Sequence, residues 1–275
     1  MKKELKFQFA EPQSTYRHCN IKIVGIGGCG CNAVDRLSTV GIQGVELIAV
    51  NTDAQALHRV KVDKKLQVGE ETTKGLGAGS DPEIGEKAFE ESQEQVKEIL
   101  GNPDMVIITA GLGGGTGTAG APFTAQIARE ELKALTVSVI VTPFRFEASR
   151  RIKYANDSLQ KLKETSDAVI EVSNDLVRKI YAEKTMEEAF MHADEILINI
   201  ARCISEILVA PGYINVDFAD LRTVLQNAGE AVVGIGTAKG ENRADQALHS
   251  ALKSPLLRDI NIEGAQKVLV NVSGK

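Results

Sequence analysis

The chain predicts an α/β fold built on a parallel sheet with helices on both faces, followed by a long central helix and a smaller, incomplete α/β unit. Three observations carry this. Short β-branched runs alternate with helical segments from Ile21 to about Val172, the rhythm of a parallel sheet. The runs are near-continuous Val, Ile and Leu, which fits strands buried on both sides. Two glycine-rich turns, Gly25-Ile26-Gly27-Gly28-Cys29-Gly30 and Gly111-Leu112-Gly113-Gly114-Gly115-Thr116-Gly117-Thr118, each follow such a strand and open a helix. A helix start directs unpaired N–H groups and the positive end of its dipole at an anion, and two of them side by side suit a polyphosphate.

Taken in order, strands are expected at 21–26, 45–50, 66–68, 105–110, 135–141 and 169–172, with helices at 32–38, 82–100, 117–133 and 149–164. Asp81 is a good N-cap for the helix at 82–100, with Pro82 in the first helical turn. From Thr185 to about Val209 there is neither Pro nor Gly, and Phe190, Ile196, Ile200, Ile204, Ile207 and Leu208 recur at helical spacing, so one long helix is expected, closed by Pro211-Gly212. The remainder supplies a strand at 232–235, a helix at 242–252 and a strand at 268–272, a single βαβ unit that is small for an independent domain. The expected division is a loose N-terminal arm at 1–20, a nucleotide domain at 21–184, the central helix at 185–210 and the C-terminal unit at 211–275.

Composition narrows the function classes. With 275 residues, 43% of them hydrophobic, the chain can bury one large core and a smaller appendage. No apolar run reaches the eighteen or so residues of a membrane span, and residues 1–20 lack the apolar stretch of a signal peptide, so a cytoplasmic location without membrane insertion is expected. A net charge of −5, from 32 basic and 37 acidic residues spread along the chain, argues against a nucleic-acid surface. The cysteines Cys19, Cys29, Cys31 and Cys203 have neither disulfide-framework nor zinc-ribbon spacing.

Gly25-x-Gly27-x-x-Gly30 matches the dinucleotide fingerprint, with Asp53 near the distance of a ribose-binding acid. A dinucleotide leaves the second glycine turn without a purpose. No G-x-x-x-x-G-K-[ST] segment occurs, so backbone amides and hydroxyls, with Thr116 and Thr118 as donors, must hold the phosphates.

Gly113-Gly114-Gly115-Thr116-Gly117-Thr118, Asn51-Thr52-Asp53, Gly75-Leu76-Gly77-Ala78-Gly79, Pro143-Phe144-Arg145-Phe146-Glu147 and Asn215-Val216-Asp217-Phe218-Ala219-Asp220 resemble, in order and spacing from Lys22 to Ser273, the FtsZ family of the tubulin superfamily. The resemblance implies a Rossmann-like GTPase domain and a protein that assembles head-to-tail into filaments of the bacterial division ring. Its nucleotide is held by one subunit and hydrolysed when the next supplies an acidic loop. By position it implies Gly28, Cys29, Gly30, Cys31, Asn32 and Asn51 around the first phosphate turn and Gly113, Gly114, Gly115, Thr116, Gly117 and Thr118 in the signature turn. It further implies Ala78 and Gly79 beside the γ-phosphate, Glu147 and Arg151 near the ribose, and Phe190 with Asp194 at the base. A carboxylate at Asp194 can accept from guanine N1–H and the exocyclic amine, whereas adenine presents an acceptor at N1.

On their own residues, Glu147 and Arg151 are an i,i+4 ion pair, and Asp217 and Asp220 are helix N-cap residues. The resemblance adds that Asn215, Asp217 and Asp220 orient the attacking water. It also implies GTP and GDP as ligands, with Mg²⁺ held by phosphate oxygens and water and no dedicated protein ligand. Partners implied are further copies of the chain and, for full-length forms, division-ring adaptors.

Departures from the family pattern are Ala119 after Thr118, Cys29 and Cys31 in the first turn, Ala148 after Glu147, and an end at Lys275. They lead to the expectations of a shortened family member without the adaptor-binding peptide, assembling less securely than it binds nucleotide, and of a nucleotide-sensitive thiol at Cys29. Two readings stand behind the first: an assembly-defective relative that binds GTP but turns over little, and a dinucleotide-dependent oxidoreductase.

Overall fold

The computed structural model describes residues 19–42, 44–176, 186–209, 217–254 and 264–272. Strands β1 (Ile21–Ile26), β2 (Val45–Asn51), β3 (Lys64–Gln67), β4 (Met105–Gly111), β5 (Leu135–Thr142), β6 (Ala168–Ser173) and β7 (Gly229–Ala231) form one sheet in the order β3-β2-β1-β4-β5-β6-β7. Every neighbouring pair is parallel.

Side chains alternate across a strand, so each strand serves two cores. On β1, Ile21 and Ile23 face one core and Val24 and Ile26 the other; on β4, Met105 and Ile107 oppose Val106 and Ile108. The first core is covered by α1 (Gly27–Val40) through Val34 and Leu37, by the long helix α8 (Met186–Val209) through Leu197, Ile200 and Ile204, and by Leu221 of α9 (Phe218–Leu225). The second is covered by α4 (Pro82–Glu91), α5 (Gln93–Leu100), α6 (Thr116–Gln126) and α7 (Ser149–Thr165), with Phe89, Leu100, Ala121 and Leu162 fully buried. Short helices α2 (Ala54–Arg59) and α3 (Glu70–Thr73) flank β3, and α10 (Arg243–Leu252) closes the C-terminal part.

Lys22, only 5% exposed, is the one charged residue sunk into β1. Its Nζ donates to Ile99 O at 3.2 Å and pairs with Glu46 at 2.7 Å, directly across the β1–β2 ladder. Lys64 of β3 pairs with the other oxygen of Glu46. Burial pushes the Glu46 carboxyl up, yet the bonds and charges of the two lysines outweigh it and the net shift is downward.

Several expected elements differ. The helix predicted at 32–38 begins at Gly27, so most of the first glycine segment is helical first turn instead of loop. Gly27, at φ +70°, makes the reversal in a conformation that an L side chain rarely adopts. The single helix predicted at 82–100 is two, broken at Ser92, whose buried hydroxyl accepts the Gly69 N–H at 3.0 Å. The helix predicted at 117–133 gives way after Gln126 to a π turn, Ile127–Glu131, closed by Leu132 N–H donating to Ile127 O.

The C-terminal βαβ unit is not formed among the described residues. Gly229–Ala231 instead joins the main sheet beside β6, anchored by Gly229 N–H on Asp167 O at 2.9 Å, and the ladder stops before the predicted 232–235 strand. Residues 268–272 pair with no strand, and Val268, Val270 and Val272 are exposed. The expected arm lies largely outside the described residues.

A Cβ on Gly30 would stand 2.2 Å from Thr109 O, whereas one on Gly28 would meet nothing within 4 Å. Gly30→Ala is therefore expected to lower stability by about 3 kcal/mol or more, and Gly28→Ala to leave it within about 1 kcal/mol. Urea unfolding followed by far-UV circular dichroism checks both, and equal effects would contradict the packing described.

Candidate functional site

The order of strands reverses between β1 and β4: β2 and β3 extend to one side, β5 and β6 to the other. In open α/β sheets the crevice at the carboxyl ends of the strands flanking such a reversal is where ligands bind. Both glycine turns lie there, and they touch. A Cβ on Gly27 would stand 3.0 Å from Gly117 N, one on Gly117 2.5 Å from Gly111 O, and one on Gly111 2.8 Å from the Cβ of Cys29. A Cβ on Gly25 would stand 2.2 Å from Gly30 O. Only bare backbone lets α1 and α6 start this close together, with first-turn N–H groups that lack intrahelical acceptors.

Hydroxyl groups brace the second turn. Thr118 Oγ1, buried, accepts the Gly113 N–H at 2.9 Å, and Thr116 Oγ1 lies 2.6 Å from Thr52 Oγ1 at the end of β2. The oxygen of Thr118 thus braces the loop itself, and its hydroxyl proton remains to be donated. Ser158 of α7 donates to Thr118 O at 2.6 Å. Gly113 adopts φ +93° with α7 packed against it: Arg151 Nε donates to Gly113 O at 3.2 Å, and Arg151 pairs with Glu147 at 2.6 Å. The second Glu147 oxygen accepts the Phe144 N–H at 2.9 Å. The pair predicted at i,i+4 is therefore formed, and it also forms a wall of the glycine turn. Gly114, like Gly28, has open space where a side chain would point.

A third segment, Lys74 to Asp81, closes the crevice from the β2–β3 side. Lys74, Gly75, Gly77, Gly79 and Ser80 all have positive φ. The segment is tied down by Ala54 N–H on Gly75 O, by Asp81 N–H on Ala78 O, and by Gly75 N–H on Thr73 Oγ1, the last at 3.3 Å; Thr73 in turn donates to Thr52 O. Ala78 is buried against Gly115, where an added Cβ would come within 2.7 Å of it, while Gly79 faces open space. Thr52 and Thr73 were not assigned to the site from sequence, because each acts through a partner remote in the chain, whereas Asp81 was read as a helix cap and is one, accepting the Glu83 N–H at 2.9 Å.

Of the remaining predicted residues, Asn32 is exposed and Asn51 is buried, its Oδ1 accepting the Asp53 N–H at 3.3 Å. Asp53 caps α2 through Gln55 N–H and Ala56 N–H, both at 2.9 Å, which is a structural duty instead of a ribose contact. Cys31 points into the core, 2% exposed, its Sγ 3.5 Å from Val50 O. Its side chain is thereby removed from the phosphate turn, because the residue lies one helical turn beyond Gly27 on the sheet-facing side of α1. Burial pushes its thiol up to about 12. Cys29 is half-buried beside Gly111. Ala119 fits inside the start of α6, facing Gly85 of α4.

Phe190 and Asp194 lie on α8, where their side chains fall outside the described residues, as does Asn215 altogether. Asp217 and Asp220 are exposed and form a capping box on α9: Asp217 Oδ1 accepts the Asp220 N–H at 2.8 Å, and Asp220 Oδ2 the Asp217 N–H at 3.3 Å. Among the described residues no group of three or more His, Cys, Asp or Glu comes together to hold a metal, and no helix is long and apolar enough to cross a membrane.

The sequence pattern of the Tubulin/FtsZ family GTPase domain matches residues 20–182, and that of the FtsZ family C-terminal domain residues 229–275. The chain therefore belongs to the Tubulin/FtsZ family of GTPases. Within it, the likeness is greater to FtsZ than to CetZ. The cell division protein FtsZ of Aquifex aeolicus is 48% identical over 92% of this chain and 69% of its own length, and FtsZ 1 of Thermococcus kodakarensis 47% over 92% and 68%. The empty FtsZ dimer of M. jannaschii superposes with a TM-score of 0.85 at 44% identity, over 88% of this chain and 71% of that one. CetZ2 from Haloferax volcanii, solved as a GTPγS-bound protofilament, reaches a TM-score of 0.72 at 26%, over 84% of this chain and 70% of that one.

Two measurements test the crevice. Gly28→Ala, expected to fold normally, is expected to weaken GTP binding about tenfold by calorimetry, because its methyl would occupy open space at the start of α1; unchanged affinity would remove Gly28 from the site. Iodoacetamide at about pH 8 is expected to modify Cys29 before Cys31 and to abolish nucleotide binding, with full binding by the alkylated protein as the contrary result. The raised pKa of Cys31 adds stability that is complete below the thiol's ordinary value of 9.0 and is lost as pH climbs toward about 12. That slope should be missing from Cys31→Ala in urea titrations at alkaline pH.

Proposed function

We propose that the crevice between the two glycine turns binds the phosphates of GTP, that nucleotide is hydrolysed only between two copies of the chain, and that turnover is thereby coupled to head-to-tail assembly. As an FtsZ-family member the chain is a filament-forming cell-division GTPase. The observation that carries the finer reading is the separation of parts. The crevice lies at the carboxyl ends of β1 and β4, whereas α9, which bears Asp217 and Asp220, ends against the start of β6, with Asn227 N–H on Asp167 Oδ1. An acidic group on α9 suits the nucleotide of a neighbouring copy. The likeness to a GTPγS-bound CetZ2 protofilament supports the same arrangement.

The residues divide the work in physical terms. First-turn amides of α1 and α6 around Gly28, Cys29, Gly30 and Gly115, Thr116, Gly117 bind phosphate oxygens, aided by both helix dipoles. Gly113 and Gly114 bring the backbone close, and Ala78 with Gly79 meets the outermost phosphate. Arg151 and Glu147 wall the sugar side, and Phe190 with Asp194 at the start of the central helix select guanine. Asn215, Asp217 and Asp220 hold and polarise the attacking water, a contribution of roughly 10²–10⁴-fold for positioned acid–base groups. Mg²⁺, when bound, supplies charge neutralisation on the phosphate oxygens.

The domain division is read as 21–184 for nucleotide, 185–210 for the central helix and 211–275 for the acidic loop and C-terminal unit. For full-length forms with full function, division-ring adaptors and a midcell site belong to this reading.

Asp217→Asn with Asp220→Asn keeps side chains that can cap α9 while removing both charges. The pair is expected to retain GTP affinity and pelletable filaments, and to lose at least about a hundredfold in phosphate release. Wild-type turnover per subunit should rise steeply with protein concentration; turnover independent of concentration would place the whole reaction within one chain.

A further inference from the structure

The wide π turn at Ile127–Glu131 buries Ile127 and Ala128 and leaves Arg129 beside the start of β6. There its guanidinium engages three elements at once. Nη1 donates to Glu164 O at the end of α7 at 2.6 Å, Nη2 donates to Asn227 Oδ1 at 2.6 Å, and Nε lies 3.4 Å from Asp167 Oδ1. Asp167, 5% exposed, is held in turn: its Oδ2 accepts the Thr136 N–H at 2.9 Å, and its backbone N–H donates to Thr136 O.

Asn227 is the hinge between this cluster and α9. It follows the helix C-cap in a left-handed conformation, φ +52°, a common way to end a helix. Its N–H also reaches Asp167 Oδ1, at 3.4 Å. Lys267 closes the same end by donating to Thr223 O at 2.7 Å. The last turn of α9 is thus clamped to the nucleotide domain, Phe218 and Leu221 pack on the first core, and Asp217 and Asp220 lie exposed on the outer side of the helix start.

We propose that Arg129 is a positioning residue for GTP hydrolysis: by locking Asn227 and Asp167 together it fixes the direction in which α9 presents its two carboxylates to the neighbouring subunit. This rests on the reading above that those carboxylates act in turnover. A planar, five-donor guanidinium suits three diverging acceptors, whereas a lysine serves one at a time.

Arg129→Gln and Asn227→Gly test it; the glycine keeps the left-handed backbone and removes only the amide acceptor, so it carries the test if the Gln variant fails to fold. Both variants are expected to bind GTP within about twofold of wild type, to exchange α9 amides about tenfold faster, and to lose about tenfold in kcat at saturating GTP, since small misplacements of reacting groups are costly. Unchanged exchange in α9, or unchanged kcat, overturns the proposal. Turnover lost in the Asp217→Asn/Asp220→Asn pair but kept in both clamp variants refutes the role of Arg129 alone. Turnover kept in all three refutes the role of the carboxylates as well.

Discussion

Main-chain contact between two glycine turns is the constraint on which the molecule is organised. Gly25, Gly30, Gly111 and Gly117 each stand where a methyl group would overlap backbone or the base of a side chain. Their absence of side chains lets β1 and β4 lie side by side with α1 and α6 rising from adjacent points. Glycine costs about 0.5–1 kcal/mol in a helix or strand relative to alanine. That loss is offset by burial elsewhere, chiefly the two large cores on either side of the sheet.

Side-chain hydroxyls and charges around the crevice are mostly committed to holding it. Thr52, Thr73, Thr116, Thr118 and Ser158 bond to backbone or to one another, and Arg151 and Glu147 bond to the turn and the strand end that they flank. Under the proposed reading, helix-start amides remain as the chief groups for an anionic ligand, which would let a protein with a net charge of −5 hold a polyphosphate without a basic patch.

Most of the sheet was legible because parallel strands buried on both faces leave uninterrupted apolar runs, and because each glycine turn sits between such a run and a helix. What was not legible depends on distant partners. The break at Ser92 answers to Gly69, twenty-three residues away, and the π turn carries no local composition that separates it from ordinary helix. Residues 232–235 and 268–272 have strand composition, but a strand also needs an edge to pair with, and β7 takes the edge that β6 offers. In the site, the glycines and the Glu147–Arg151 spacing were readable, and so was the capping reading of Asp217 and Asp220. Asp81 was readable only as a helix cap, and Thr52 and Arg129 were silent, since single polar residues have no pattern until the chain folds around them.

The ionic group formed by Lys22, Glu46 and Lys64 bears on how this sheet reaches its correct pairing. Runs of Ile and Val offer nearly the same contacts when one strand slides two positions along another, so apolar matching discriminates poorly among offsets of equal parity. A buried ammonium opposite a carboxylate does discriminate, because any slide leaves a charge stranded in the interior. Three charged residues near the amino ends of β1, β2 and β3 thus act as an alignment key for the half of the sheet in which hydrophobicity alone is ambiguous.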